Sequence, residues 1–194
     1  MAIETGAKLP DATLHTMQDG KPAPVSTNDL FAGKKVAMFA VPGAFTPTCS
    51  MAHLPGYVVH ADALKAKGVD SIVCLSVNDA FVMDAWGKSA NAEELVMVGD
   101  GNGDFTEALG LQMDGSGFGL GTRSQRYAMI VDDGTVTHLA VEAPGKLEVS
   151  AAEAILEALQ LAFSMAITTL LSFHSGVVVS NPISLCDCGL ATPV

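Results

Sequence analysis

The stretch Lys34 to Val41, KKVAMFAV, limits what this chain can fold into more than any other segment, because it is nearly all apolar and is bounded by Gly33 and Pro42. A short run without polar alternation is expected for a central strand covered on both faces. From Cys49 to Lys67 the period changes: Met51, Leu54, Val58, Ala61 and Leu64 recur at three and four positions until Gly68, which predicts a helix with a kink at Pro55. Val69 to Val77 is a second apolar strand. Strand, helix and strand in this order require a crossover connection, so the two strands are expected to be parallel.

The remaining elements fit the same α/β architecture. Ala12 to Met17, closed by Gln18-Asp19-Gly20-Lys21, reads as an edge strand and turn. Asn78-Asp79 can cap a helix through Trp86, Glu94 to Val98 reads as a strand, and Asp104 to Leu109 as a short helix. A Gly-rich loop is expected from Gly110 to Gly121. Gln125 to Val131 and Thr135 to Val141 flank Asp132-Asp133-Gly134, a hairpin signal, and Ser150-Ala151-Ala152-Glu153 has the form of a capping box that opens a last helix. The sum is one domain over residues 1–159 with a mixed sheet. Residues 160–194 differ in character, since no Asp, Glu, Lys or Arg occurs between Ala158 and Asp187. Gln160, Ser164, Thr168, Thr169 and Ser172 interrupt this segment, which falls short of the roughly 20 apolar residues of a membrane span. It reads as an apolar C-terminal extension, either packed, partner-binding or foreign to the fold.

Charge excludes some partners. A formal net charge of -11 offers no basic field for nucleic acid or anionic membranes. The N-terminal residues carry neither a secretory nor a transit-peptide pattern, and a cytoplasmic location is expected.

Four cysteines, Cys49, Cys74, Cys186 and Cys188, give no CxxC pair and no zinc-ligand spacing, so neither a metal nor a disulfide framework is expected. Cys49 follows Pro42-Gly43-Ala44-Phe45-Thr46-Pro47-Thr48 at a strand-to-helix junction. In a first helical turn a thiol meets unpaired backbone N–H groups and the positive end of the helix dipole, which favour the nucleophilic thiolate. Pro47 suits the helix entry, Thr48 is a candidate N-cap, and Thr46 adds a hydroxyl nearby. Arg123 and Arg126 are the chain's two arginines and supply the cation that such a site needs. On one strand their odd separation would put them on opposite faces, one at the site and one structural. Cys74 reads as a small core hydrophobe; His53, one helical turn after Cys49, could tune it but reads first as a packed helix histidine; and Cys186 and Cys188 could form a redox or metal pair but read as incidental. Asp100, Asn102 and Asp104 start like a calcium loop, but Phe105 and Leu111 occupy the positions that need Gly and Glu.

PGAFTPTC resembles the peroxidatic motif of the peroxiredoxins, matching it at Pro42, Thr46 and Cys49. His53-Leu54-Pro55-Gly56, the segment from Cys74 to Val82 with Trp86-Gly87, and Arg123 to Tyr127 are similar to the type II, peroxiredoxin-5-like group, over about residues 3–159. The resemblance implies a thioredoxin-like fold whose central mixed sheet is flanked by helices. It also implies a peroxidase acting on hydrogen peroxide and small alkyl hydroperoxides, with Cys49 oxidised to a sulfenic acid and no bound cofactor. By the same resemblance Thr46, Pro42 and Arg126 serve catalysis, Cys74 is a candidate resolving thiol, and the chain forms a homodimer. Glutathione with glutaredoxin, or thioredoxin, would then be the reductant. An alternative output of the same chemistry is a redox sensor or chaperone whose oxidised cysteine controls partner binding. A disulfide oxidoreductase is disfavoured by the missing CxxC.

Overall fold

The apolar run forms strand β3 (Lys35–Val41), buried from Val36 to Val41. The computed structural model describes residues 1–162. Its strands are β1 (Thr13–Gln18), β2 (Lys21–Ser26), β3, β4 (Ser71–Ser76), β5 (Val96–Gly99), β6 (Gln112–Asp114), β7 (Thr122–Ser124), β8 (Tyr127–Asp132) and β9 (Thr135–Val141). Seven of them make one mixed sheet in the order β2-β1-β5-β4-β3-β8-β9. As the crossover argument requires, β3 and β4 are parallel, whereas β8 lies antiparallel on the other side of β3.

Alternate side chains of β3 feed two cores, which explains why the run shows no polar alternation. Ala37, Phe39 and Val41 pack with Cys49, Leu54, Tyr57, Leu64, Cys74 and Trp86 on one face. Val36, Met38 and Ala40 pack with Leu14, Phe31 and Phe105 on the other. The first face is covered by α2 (Leu54–Val59), α3 (Ala61–Ala66), α4 (Ala80–Ser89) and a helix over 152–162. The second is covered by α1 (Thr27–Phe31) and α5 (Asp104–Ala108). Asp79 caps α4, accepting the Val82 amide at 2.9 Å. No helix among the described residues is long and apolar enough to cross a membrane. The segment from 163 onward, with Cys186 and Cys188 and most of the expected extension, lies outside the described residues.

Five local expectations are corrected. The edge strand is β2, not β1, which pairs with both β2 and β5. Pro22 and Pro24 lack the N–H that an internal strand must donate, so β2 takes the rim. Pro55 does not simply kink one long helix: Cys49–His53 forms a π-helical turn, with the Leu54 amide bonded to the Cys49 carbonyl, and the chain breaks again at His60. Widening the turn before Pro55 relieves the contact its ring would make with the carbonyl four residues back. Thr48 is itself helical and makes no side-chain cap; the helical residues begin at Pro47, after Thr46. The Gly-rich stretch is not all loop, since β6 and β7 pair antiparallel across it. Ser150 is no cap either, because its hydroxyl is bonded to Glu142 at 2.9 Å.

One glycine joins the sheet to the loop before α4. A Cβ on Gly99 would stand 2.6 Å from the Asn78 carbonyl oxygen and 2.9 Å from the Ala80 nitrogen, both main-chain atoms. Gly99→Ala is expected to cost about 1–3 kcal/mol, read as a lower urea midpoint. Gly56→Ala, where no atom lies within 4 Å, is expected to be neutral or slightly stabilising. A wild-type midpoint for Gly99→Ala would show that the loop yields freely.

Candidate active site

The register of β3 determines where the site forms. Ala40 faces Tyr127 across the antiparallel pair and Val41 faces Ser76 across the parallel one. The end of β3, the residues just before β8 and those just after β4 therefore meet at one edge of the sheet. Pro42 to Thr48 must turn there into the helix. Phe45 takes a left-handed backbone at φ 61°, and the Ala44 amide is held by the Asn78 Oδ1 at 3.0 Å. Gly43 permits the fold-back, because a Cβ there would lie 3.1 Å from Thr46 Cγ2.

This turn places Cys49 with no exposed surface. The Thr46 hydroxyl lies 2.9 Å from its Sγ and 2.8 Å from the Gly43 carbonyl. Arg126, in the coil before β8, brings Nη2 to 3.4 Å from the same sulfur. Pro42 and Thr46 line, with Arg126, Phe118, Leu120 and Glu142, a mostly apolar cavity of about 510 Å³. Cys49, Thr46, Arg126 and Pro42 are thus brought together. Cys74 is not at the cavity: it is fully buried in β4, and burial, followed by the nearby Cys49, pushes its thiol well above the usual range.

The arginines are separated by more than strand alternation. Arg123 lies on β7 and Arg126 does not lie on a strand at all. Arg123 donates from Nε to the Leu120 carbonyl and from Nη1 to the Val77 carbonyl, each at 2.9 Å, tying the β6–β7 ribbon to the loop after β4.

His53 is packed, as its place in the helical period suggests, but it also touches Arg126. Its Nε2 lies 3.0 Å from the Ser150 carbonyl and its Nδ1 2.9 Å from Arg126 Nη1. With Nε2–H donating, Nδ1 is left to accept from the guanidinium, which requires a neutral ring. Burial pushes the imidazole down to about 4; the Ser150 bond opposes this and Arg126 reinforces it. Tyr57 stacks on Phe39 at 3.9 Å and donates to the same Ser150 carbonyl at 2.9 Å. Asn78, Ser150 and Glu142 carry no local sequence signal of a role at the site, since each is brought there by tertiary contacts. His53 had one signal, its position one turn after Cys49.

The depressed His53 value makes stability depend on pH. Between about 6.5 and 4 the unfolded chain binds a proton that the folded chain does not. Stability from this residue is therefore full above about 6.5 and falls as pH drops toward 4, by roughly 3 kcal/mol at about 1.4 kcal/mol per pH unit. Urea midpoints of wild type and His53→Gln across this window should diverge in slope, with the variant flatter. Parallel slopes would mean that His53 does not titrate between the two states.

Comparison with known proteins identifies the family. The Redoxin family model matches residues 4–156. Over 163 residues the chain is 51% identical to peroxiredoxin-2E-2, chloroplastic, of Oryza sativa subsp. japonica, covering 81% of this chain and 72% of the relative. It is 49% identical to peroxiredoxin-2B of Arabidopsis thaliana, covering 81% and 98%. The crystal structure of reduced Prx3 in complex with hydrogen peroxide from Vibrio vulnificus superposes with a TM-score of 0.79 at 62% identity, over 81% of this chain and 99% of that one. The mixed sheet with its flanking helices is accordingly a thioredoxin-like fold. With a cysteine at the strand-to-helix turn and relatives of this closeness over 72% to 99% of their length, the chain belongs to the redoxin family and within it is a type II peroxiredoxin, a thiol peroxidase.

Proposed function

We propose that Cys49 is the peroxidatic residue and that it reduces hydrogen peroxide and small alkyl hydroperoxides, with Thr46 and Arg126 as the donors that meet the peroxide oxygens. One observation carries this reading: both donors converge on a sulfur without exposed surface, at 2.9 and 3.4 Å. The thiolate attacks one peroxide oxygen in line and the O–O bond breaks. The electron pair leaves with the second oxygen, which takes up a proton and departs as water or an alcohol, and Cys49 becomes a sulfenic acid. Arg126 and Thr46 stabilise the charge that grows on the departing oxygen, and Pro42 screens the sulfur from bulk water. The hydrogen peroxide held by the Vibrio vulnificus relative supports the substrate class. The apolar cavity beside Pro42 and Arg126 suits the carbon chain of an alkyl hydroperoxide.

Recycling is proposed to use glutathione with glutaredoxin, or thioredoxin. A glutathione thiol condenses with the sulfenic acid, releasing water and leaving a mixed disulfide for glutaredoxin to reduce. Cys74 offers a second route by condensing with oxidised Cys49 into a disulfide that thioredoxin reduces. The burial and protonation of Cys74 mean that this route needs local opening of the π turn and α2. Exposed Phe45 and Phe118 beside the site support assembly as a homodimer.

Stopped-flow oxidation by hydrogen peroxide tests the assignment. Cys49→Ser is expected to abolish turnover, and Arg126→Ala to slow sulfenic acid formation by about a hundredfold or more, far beyond Arg123→Ala. Turnover in Cys49→Ser, or the reverse order of the arginines, would overturn it. Separately, Cys74→Ser should leave glutathione-driven recycling intact and lower the thioredoxin-driven rate several-fold, and unchanged rates with both reductants would make Cys74 a core residue alone.

A further inference from the structure

We propose that Glu142 is a positioning residue for the peroxide reaction, holding Arg126 directly at its main chain and, through Ser150 and His53, at its guanidinium. Glu142 follows the last residue of β9 and continues the β8–β9 ladder by one step, its amide donating to the Arg126 carbonyl at 2.9 Å. The largely buried side chain reaches the other way. Its Oε1 accepts from the Glu148 amide at 2.6 Å, the Ser150 amide at 2.7 Å and the Ser150 hydroxyl at 2.9 Å. Three donors converging on one oxygen form a site for an anion.

The consequence is a chain of fixed orientations. Closing the segment 143–149 onto Glu142 turns the Ser150 carbonyl inward, where it accepts from His53 Nε2 at 3.0 Å and Tyr57 Oη at 2.9 Å. His53, fixed by that bond, presents Nδ1 to Arg126 Nη1 at 2.9 Å, and Nη2 of the same planar guanidinium is left facing Cys49. No other carboxylate among the described residues accepts from the Ser150 amide or hydroxyl. The segment it closes contains Pro144 and Gly145 and no regular element. Removing the carboxylate leaves three donors without their acceptor and frees the Ser150 carbonyl to turn away. Errors of about 1 Å in a donor at the reacting centre can cost up to a hundredfold in rate. The groups facing Glu142 are His53 and the Ser150 and Glu148 amides, while the Lys146–Glu148 ion pair is more exposed.

The proposal rests on the peroxide chemistry of Cys49 and is tested by a double-mutant cycle with Arg126. Glu142→Ala is expected to slow oxidation of Cys49 by hydrogen peroxide about tenfold or more in the otherwise wild-type protein. In the Arg126→Ala background it is expected to add nothing further, because the group it acts through is gone. A merely structural role would slow both backgrounds by the same factor, and that result, or a wild-type rate in Glu142→Ala, would overturn the proposal. Should Glu142→Ala not fold, Glu142→Gln is measured in the same cycle. As a weaker, neutral acceptor it is expected to slow oxidation about threefold in the wild-type background alone, with the same two overturning results. Wild-type protein that fails to consume peroxide would sink the peroxidase reading itself, whereas normal wild-type turnover with an unresponsive Glu142 sinks only this inference.

Discussion

A sulfur with no exposed surface can carry negative charge only where donors replace the water it has lost, and the fold around Cys49 is arranged to bring two of them to it. Thr46 reaches it from three residues upstream in the same turn, and Arg126 from across the sheet. The arginine is the harder to place. Its side chain has many rotamers, and a guanidinium with one partner would be free to swing toward solvent. Neutral His53 supplies the second acceptor, so two nitrogens of one planar group are fixed by two different residues of the π turn, Cys49 and His53. Were His53 protonated it could not accept, and the two cations would repel each other; the burial that keeps the ring neutral is therefore part of the arrangement.

That geometry follows from strand register. Because β3 is antiparallel to β8 and parallel to β4, the exit of one strand, the entrance of another and the exit of a third coincide. Each delivers a group to the turn after β3: Arg126 from ahead of β8, Asn78 from beyond β4, and the motif itself from β3. The Ser76 hydroxyl, 3.2 Å from the Val41 carbonyl and 2.8 Å from the Asn78 Oδ1, lies between the turn and the loop after β4. A slip of one residue in either pairing would turn over the side chains of β4 or β8 and shift the Asn78 or Arg126 that follows or precedes it away from the turn, so the buried alternation of β3 fixes the chemistry as well as the core.

Much of this was legible in the residues. An apolar run between Gly33 and Pro42, a helical period beginning at Cys49 and two isolated arginines point to a strand-to-helix nucleophile with a nearby cation. What was not legible depended on contacts between distant segments. Thr48 looks like a cap by composition, yet the helix starts two residues earlier than that cap would place it, so Thr46 is the residue that precedes the helix and faces the sulfur. Ser150 has the local pattern of a capping box, but a carboxylate eight residues upstream competes for its hydroxyl and wins. The glycines from 110 to 121 suggest a loop, whereas Arg123 anchors their ribbon through carbonyls that no local pattern announces. For Ser150, a side chain that would bond backbone locally in isolation has taken another partner in the folded chain.

The helix that carries Cys49 is not one helix, and this bears on how the oxidised sulfur becomes accessible. A π turn over Cys49–His53, α2 to Val59 and α3 from Ala61 follow one another, with the backbone leaving helical angles at His60. Pro55 contributes no amide to the ladder, and the wide turn before it bonds at a longer spacing. Opening the first turn therefore breaks fewer bonds than unwinding an unbroken helix would, and α3 can keep its packing through Ala61 and Leu64. Reduced Cys49 resists that opening through Thr46 and Arg126. In the proposed reaction, oxidation to a sulfenic acid weakens the bonds that Thr46 and Arg126 make to this sulfur, so the step that forms the sulfenic acid also loosens the turn that must open before a reductant reaches it.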